Sequence, residues 1–146
     1  MSTELHHFSD ASLNGYGACS YIKQVNDSRK ILYNLILAKS RVAPLKKPTI
    51  PRLELQGAVT ATRLANVLRK ELKLSVDKET FWSDSQIVLG YISNDVRKFH
   101  LYVANRVSEI RKTTEPKQWN YVPTEFNPAD IASRRISAKE IIDNDM

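Results

Sequence analysis

The stretch "IPRLELQGAVTATRLANVLRKELKL" constrains the fold more than any other, because one helical period runs through it without a break. Positions 54, 58, 61, 65, 68 and 72 fall three or four residues apart and therefore share a helix face. Five of them are Ala58, Ala61, Ala65, Leu68 and Leu72, a stripe suited to burial against a sheet. The sixth, at the N-terminal end of the stripe, is Glu54. A first-turn acid favoured by the helix dipole would account for a carboxylate here. It would not account for one on the inward face, since burying an unpaired charge is costly.

The segments around this helix alternate in kind. "ELHHFSDAS" reads as a short strand ending at Asp10, and "NGYGACSYIKQV" as its hairpin partner, with Gly15 and Gly17 supplying turn freedom. "KILYNLILAKSRV" is a long, branched apolar run that predicts a third strand, buried on both faces. Pro44, Pro48 and Pro51 break the pattern, and the helix begins near Pro51 or Arg52 and runs to about Leu72. "ETFWSDSQIV" is the next strand, ending near Asp84, where Ser85 can cap the helix "QIVLGYISN". "RKFHLYVANRVSEIRK" predicts an amphipathic helix with Phe99, Val103, Val107 and Ile110 on one side. "KQWNYVPT" is the last strand and "NPADIASRR" opens the last helix, capped by Asn127 with Pro128 at its first position. This order predicts one α/β domain over residues 1–146, with helices covering a mixed sheet.

Composition narrows the function classes. The chain has no run of eighteen or more apolar residues and opens on no signal-peptide pattern, so an intracellular setting without membrane association is expected. A single cysteine, Cys19, cannot make a disulfide within the chain or a zinc cluster by itself, and is expected to be a buried strand residue. His6, His7 and His100 have no zinc-like spacing. The net charge of +6 favours a polyanionic partner, although a solvated basic surface would carry the same charge.

Four carboxylates stand where local structure does not require them. Asp10 shares a strand face with Phe8, and Asp84 with Trp82, so each aspartate follows a large aromatic at a strand end. Taken singly, Asp10 fits a turn, Asp84 a helix cap and Asp130 an ordinary first helical turn. If the first and fourth strands are neighbours, Asp10 and Asp84 emerge at one sheet edge, within reach of Glu54 at the start of its helix. Four acids gathered there would repel and raise one another's pKa values unless cations intervene. Two Mg²⁺ or Mn²⁺ ions balance four carboxylates, and hard oxygen donors suit them. Such an ion pair serves in-line phosphoryl chemistry, which points to a nuclease.

The segments "FSDAS", "IPRLEL", "FWSDSQIVLGYI" and "NPADIASR" resemble the ribonuclease H domain of retroelement polyproteins, and most closely that of the BEL/Pao group of long-terminal-repeat retrotransposons. "LAKSRVAPLKKPTIPRLEL" and "FHLYVANRVSEIR" are similar to that group's connecting segments, so the resemblance runs from Leu5 to Arg134. It implies a ribonuclease H-like fold, a five-stranded mixed sheet of three antiparallel strands followed by two parallel ones. It implies hydrolysis of the RNA strand of an RNA–DNA hybrid, leaving a 3′-hydroxyl and a 5′-phosphate. Asp10, Glu54, Asp84 and Asp130 match the family's catalytic, metal-binding carboxylates, and Gln86 a position that touches the hybrid. A reverse transcriptase module of the same polyprotein is an implied partner, and a monomer is expected. With no polymerase or separate hybrid-binding module in these residues, weak activity in isolation is expected.

Two departures stand out. Many ribonucleases H carry a histidine in the loop before the last acid, whereas "VPTEFNPAD" has Thr124 and Glu125 and no histidine. The group usually reads Ser-Arg-Gly after the last acid, whereas Arg135 here replaces the glycine that would permit a left-handed helix end. Hybrid recognition rests on phosphate contacts and on 2′-hydroxyls in the shallow minor groove. The nucleic-acid-binding candidates are Ser12, Asn14, Gln86 and Arg134, with Arg52 and Arg106 as secondary ones.

Other chemistries fit less well. An aspartic peptidase needs Asp-Thr-Gly or Asp-Ser-Gly, and neither Asp10-Ala11-Ser12 nor Asp84-Ser85-Gln86 has the glycine. An integrase would order its acids differently, and a proofreading exonuclease would need Asp-x-Glu on the first strand. The remaining alternative is a domesticated or decayed domain that binds nucleic acid without cutting it.

Overall fold

The computed structural model describes residues 1–43, 49–94 and 100–129. Strict alternation builds the first strand, β1 (Ser2–Ser12): Thr3, Leu5, His7 and Ser9 are buried, and the residues between them are half-buried. β1 passes Asp10 by two residues, so the aspartate lies inside the strand and not in a turn. β2 (Gly15–Val25) returns antiparallel, with Ser12 paired to Gly15, leaving Leu13 and Asn14 as the connection. The freedom expected of Gly15 and Gly17 is not used, since no glycine among the described residues has a positive φ.

β3 (Ile31–Val42) pairs antiparallel with β2 and corrects a second expectation. The strand is not buried on both faces; it lies at the sheet edge, and Tyr33 is 62% and Val42 58% exposed. An apolar run reads the same in a central strand and at an edge, because periodicity reports composition and not neighbours. A register shift opposite Ser20 and Tyr21 pairs them with Leu37 and Leu35, skipping one residue. Such a bulge re-aims the side chains on either side of it. Leu37 consequently packs toward the core while Tyr33 lies over the other face, beside Tyr21.

The long helix, α1 (Ile50–Glu71), forms as its periodicity demands and carries Pro51 in its first turn. Ala58, Ala61, Ala65 and Leu68 are buried, as the stripe requires, and Leu72 is the C-cap. The helix is also buried beyond that stripe, at Leu53, Leu55 and Val59, because other helices flank it. β4 (Lys78–Ser83) then runs parallel to β1, and β5 (Trp119–Tyr121) parallel to β4. The order β3-β2-β1-β4-β5 is thus a five-stranded mixed sheet, three antiparallel strands followed by two parallel ones, as the resemblance implies.

Between the last two strands lie α2 (Gln86–Ser93) and α3 (Leu101–Thr113). Ser85 caps α2 as expected, accepting a hydrogen bond from the Val88 amide at 3.2 Å. Val103, Val107 and Ile110 form the buried side of α3, while Phe99 is outside the described residues. Phe81 and Trp119 stack at 4.7 Å between centroids in the core that these helices share with α1. No helix among the described residues is long and apolar enough to cross a membrane.

Candidate active site at the carboxylate edge

The parallel pairing of β1 with β4 decides where two of the four acids lie. Ser9 pairs with Ser83, so the next residue on each chain is an aspartate, Asp10 and Asp84. Phe8 and Trp82, one step back, are also paired, and their rings stack at 6.1 Å. Asp10 is buried, at 6% exposure, and Asp84 is half-buried. Because Ser85 is the N-cap of α2, Asp84 precedes the cap and is released from that role.

α1 reaches the same edge through a glycine. A Cβ on Gly57 would come within 2.9 Å of the Asp10 carbonyl oxygen, so only glycine lets the helix lie this close to β1. Glu54 is one turn nearer the N-terminus, on the fifth residue of the helix, and no acid occupies the first turn. The helix-dipole explanation for Glu54 therefore falls away. Burial raises its pKa, a hydrogen bond with the Ser85 side chain lowers it, and the nearby charge of Asp84 raises it again, the net result being upward. Ser85 thus links two elements of the edge, capping α2 while touching Glu54.

The last acid is approached from β5. Val122 donates its amide to the Ser83 carbonyl at 3.0 Å, which keeps the chain beside β4. A single helical turn follows at Thr124–Phe126, and then Asn127, which is buried. Asn127 Oδ1 accepts from the Ala129 amide at 3.0 Å, the cap geometry expected of it. Its Nδ2 donates to the Ser9 carbonyl at 2.9 Å, directly before Asp10. Asp130 and Arg134 themselves, with Arg135, are outside the described residues.

The structure therefore brings Asp10, Glu54 and Asp84 to one edge, and carries the chain to that edge just before Asp130. Among the described residues, no three His, Cys, Asp or Glu side chains are grouped to hold a metal ion. Of the other candidates, Gln86 is exposed at the start of α2, and Ser12 and Asn14 sit at the β1–β2 connection. Asn14 uses its carbonyl to accept from the Ala43 amide at 2.9 Å, tying that connection to the end of β3. Sequence reasoning missed Gly57, the contact of Ser85 with Glu54 and the second bond of Asn127. Each depends on a residue distant in the chain, and only the glycine left a trace, as an unexplained break in a good helix former's run.

Two groups with chemical potential elsewhere are inert. Burial pushes the Cys19 thiol up to about 12, so it is no nucleophile at neutral pH. His7 is fully buried, 2.7 Å from Ser20 Oγ and 2.9 Å from Glu79 Oε2, out of reach of any substrate.

The model of a Pao retrotransposon-like RNaseH-like domain matches residues 1–85. No curated protein matches the chain by sequence. Among solved structures, the chain is similar to RNase H1 from the halophilic archaeon Halobacterium salinarum NRC-1, at 17% identity and a TM-score of 0.57, over 97% of this chain and 98% of that one. It is similar to LC11-RNase H1 in complex with an RNA/DNA hybrid, at 13% identity and a TM-score of 0.61, over 96% and 99% of the two chains. The N-terminal RNase H domain of rv2228c from Mycobacterium tuberculosis gives 13% identity and a TM-score of 0.56, over 98% and 94%. Likeness at these identities shows the fold.

Proposed function

The chain belongs to the family of Pao retrotransposon-like RNaseH-like domains, and from that premise we propose that it is a metal-dependent endonuclease that hydrolyses the RNA strand of RNA–DNA hybrids. The observation that carries the proposal is the parallel register of β1 and β4, which sets Asp10 and Asp84 side by side under the N-terminal turns of α1. Glu54 then sits against Asp84 with its pKa pushed up by burial and by that charge. Like charges held together at a partly buried edge are what a divalent cation relieves.

Asp10, Glu54, Asp84 and Asp130 would hold two Mg²⁺ or Mn²⁺ ions, a fit supported by an all-oxygen donor set. When bound, the ions would supply an activated water and stabilise the leaving 3′ oxygen. The chain's own residues supply position and charge. Ser85 orients Glu54, Gly57 seats α1 against the Asp10 backbone, and Asn127 fixes where the segment bearing Asp130 begins. Ser12, Asn14, Gln86 and Arg134 would contact the hybrid around this edge, reading sugar and phosphate and not sequence. LC11-RNase H1 was solved with such a hybrid, which supports this substrate class. The unit of activity would be a monomer of one domain, working with a reverse transcriptase module of the same polyprotein.

Incubation of the protein with a hybrid labelled on its RNA strand, in Mg²⁺ or Mn²⁺, tests this. Ion-dependent cleavage that disappears in Asp84→Asn is expected, and equal cleavage by the variant would sink the proposal. Binding by the wild-type protein without cleavage would instead favour a non-catalytic nucleic-acid-binding domain.

A further inference from the structure

A cavity of about 530 Å³ lies along α1 away from the carboxylate edge. Gln56, Thr60 and Arg63, spaced four and three apart, form its floor, a face of α1 different from the one bearing Glu54. One wall comes from the β2–β3 hairpin and the other from α3. The hairpin wall presents Lys39 and Arg41, both exposed on the edge strand, and α3 presents Arg106. The only acid lining the cavity among the described residues is Glu109. It is consumed by Arg63, which grips it through Nε at 2.8 Å and Nη2 at 3.0 Å. With that pair neutral, Lys39, Arg41 and Arg106 remain uncancelled within the cavity's lining.

A second observation connects this trough to the start of α1. The Arg106 guanidinium lies 3.8 Å from the centroid of the Tyr102 ring, and the Arg52 guanidinium lies 4.6 Å from the same ring. Stacking on an aromatic ring holds a guanidinium in place; Arg106 Nη1 also donates to the Tyr102 carbonyl at 3.5 Å, and its remaining N–H groups can bind a phosphate. Arg52 stands two residues before Glu54, at the start of α1. Cations therefore run from the N-terminal end of α1, through Arg52 and Arg106 on their shared ring, into the trough at Arg41 and Lys39. The neutral amide donors Gln56 and Asn105 line the same path, while the Thr60 hydroxyl donates to the Gln56 carbonyl at 2.9 Å.

We infer that this trough is a second nucleic-acid contact, a track for the phosphate backbone of a strand that flanks the point of cleavage. The class of ligand is set by chemistry: three uncancelled cations, drawn from two walls and joined to a fourth outside, match successive phosphates along a strand better than one compact anion. None of Ser12, Asn14 or Gln86 lines it, so it adds a grip distinct from their contacts at the edge. The inference rests on the nucleic-acid reading of the protein but not on cleavage.

Hybrid binding measured in Ca²⁺ between about 50 and 200 mM salt tests the track for the wild-type chain, Lys39→Ser/Arg41→Ser and Arg106→Ala. Both substituted β3 residues are exposed on an edge strand, which leaves the fold intact. The double variant should bind about tenfold more weakly, with the slope of log affinity against log salt reduced by about 2. On a hybrid too short to leave the edge, the variants and the wild type should converge. Wild-type affinity and slope in both variants would overturn the track, even if cleavage is intact. Equal competition by inorganic phosphate and by single-stranded DNA of matched phosphate concentration would also overturn it, since a compact anion would then suffice. Altered slopes together with no cleavage in Mg²⁺ would keep the track and remove the nuclease.

Discussion

Asn127 donates a hydrogen bond from its side-chain amide to the backbone carbonyl of Ser9, across 118 residues of sequence and at 2.9 Å. The same side chain accepts from the Ala129 amide. One buried residue thus starts the final segment and pins its start to the strand that bears Asp10. Asn127→Ala removes both bonds and strands a buried carbonyl, a loss of about 1–3 kcal/mol. Urea denaturation should show a lower midpoint with an unchanged slope. Asn127→Asp keeps the acceptor for Ala129 but turns a carboxylate toward the Ser9 carbonyl, and it should also be destabilised.

Gly57 and Gly90 both lie inside helices, yet opposite outcomes are expected from the same substitution. At Gly57 a methyl group meets the Asp10 carbonyl at 2.9 Å, and a backbone atom cannot swing aside. Gly57→Ala should cost about 1–3 kcal/mol as overpacking and should lower activity by moving α1 off β1. At Gly90 the nearest atom is Asn94 Nδ2, at 4.0 Å. Gly90→Ala should stabilise by about 0.5–1 kcal/mol through helix propensity. Thermal melts of the two variants check the contrast.

Glu54 opposes stability in its charged form. Burial chiefly, and the Asp84 charge after it, hold its folded pKa above the usual carboxylate value. Its contribution to stability is therefore present below the unfolded pKa and is lost as pH rises through the folded one. Glu54→Gln removes that loss, so the variant should be more stable than wild type at neutral pH without divalent ions, while losing hydrolysis. Added Mg²⁺ or Mn²⁺ should raise the melting temperature of the wild type and leave the variant nearly unmoved.

A chain of bonds running from the core at His7 to the surface at Arg69 works in the other direction. Glu79 accepts from Arg69, through Nε at 2.9 Å and also through Nη2, and lies 2.9 Å from His7 Nε2. A carboxylate only accepts, so Nε2 carries the proton and Nδ1 accepts from the Ser20 hydroxyl. Burial keeps the His7 pKa below its ordinary 6.5 despite the attraction of Glu79. For Glu79, burial pushes upward, but the bonds from His7 and Arg69 prevail and bring it below 4.5. Both groups therefore stabilise above their unfolded values, and that stability is lost as pH falls below about 6.5 and then below about 4.5. His7→Leu should cost about 1–3 kcal/mol at pH 7 and flatten the dependence as pH falls below about 6.5, as read by denaturation at each pH.

Much of this fold was legible because its signals are local. The α1 stripe, the Ser85 cap and the Asn127–Pro128 start each depend on residues within a few positions, and each is found where expected. The burial of β3 was misjudged because Ile31, Leu32 and Leu35 look like core residues, while their exposure follows from the strand's place at the sheet edge. The candidate site was legible as residue types but not as geometry. That Asp10 and Asp84 are neighbours depends on the register between β1 and β4, which no local pattern encodes. Gly57 reads as a helix weakness until its contact with Asp10 shows that the helix could not approach without it.

The most direct measurement uses one hybrid with each strand labelled in turn, followed in Mg²⁺, in Mn²⁺ and with chelator. Cleavage of the RNA strand alone is predicted, with 5′-phosphate and 3′-hydroxyl ends, lost with chelator and lost in Asp84→Asn. Cleavage of the DNA strand at a similar rate, or cleavage that persists with chelator or in Asp84→Asn, would contradict the account.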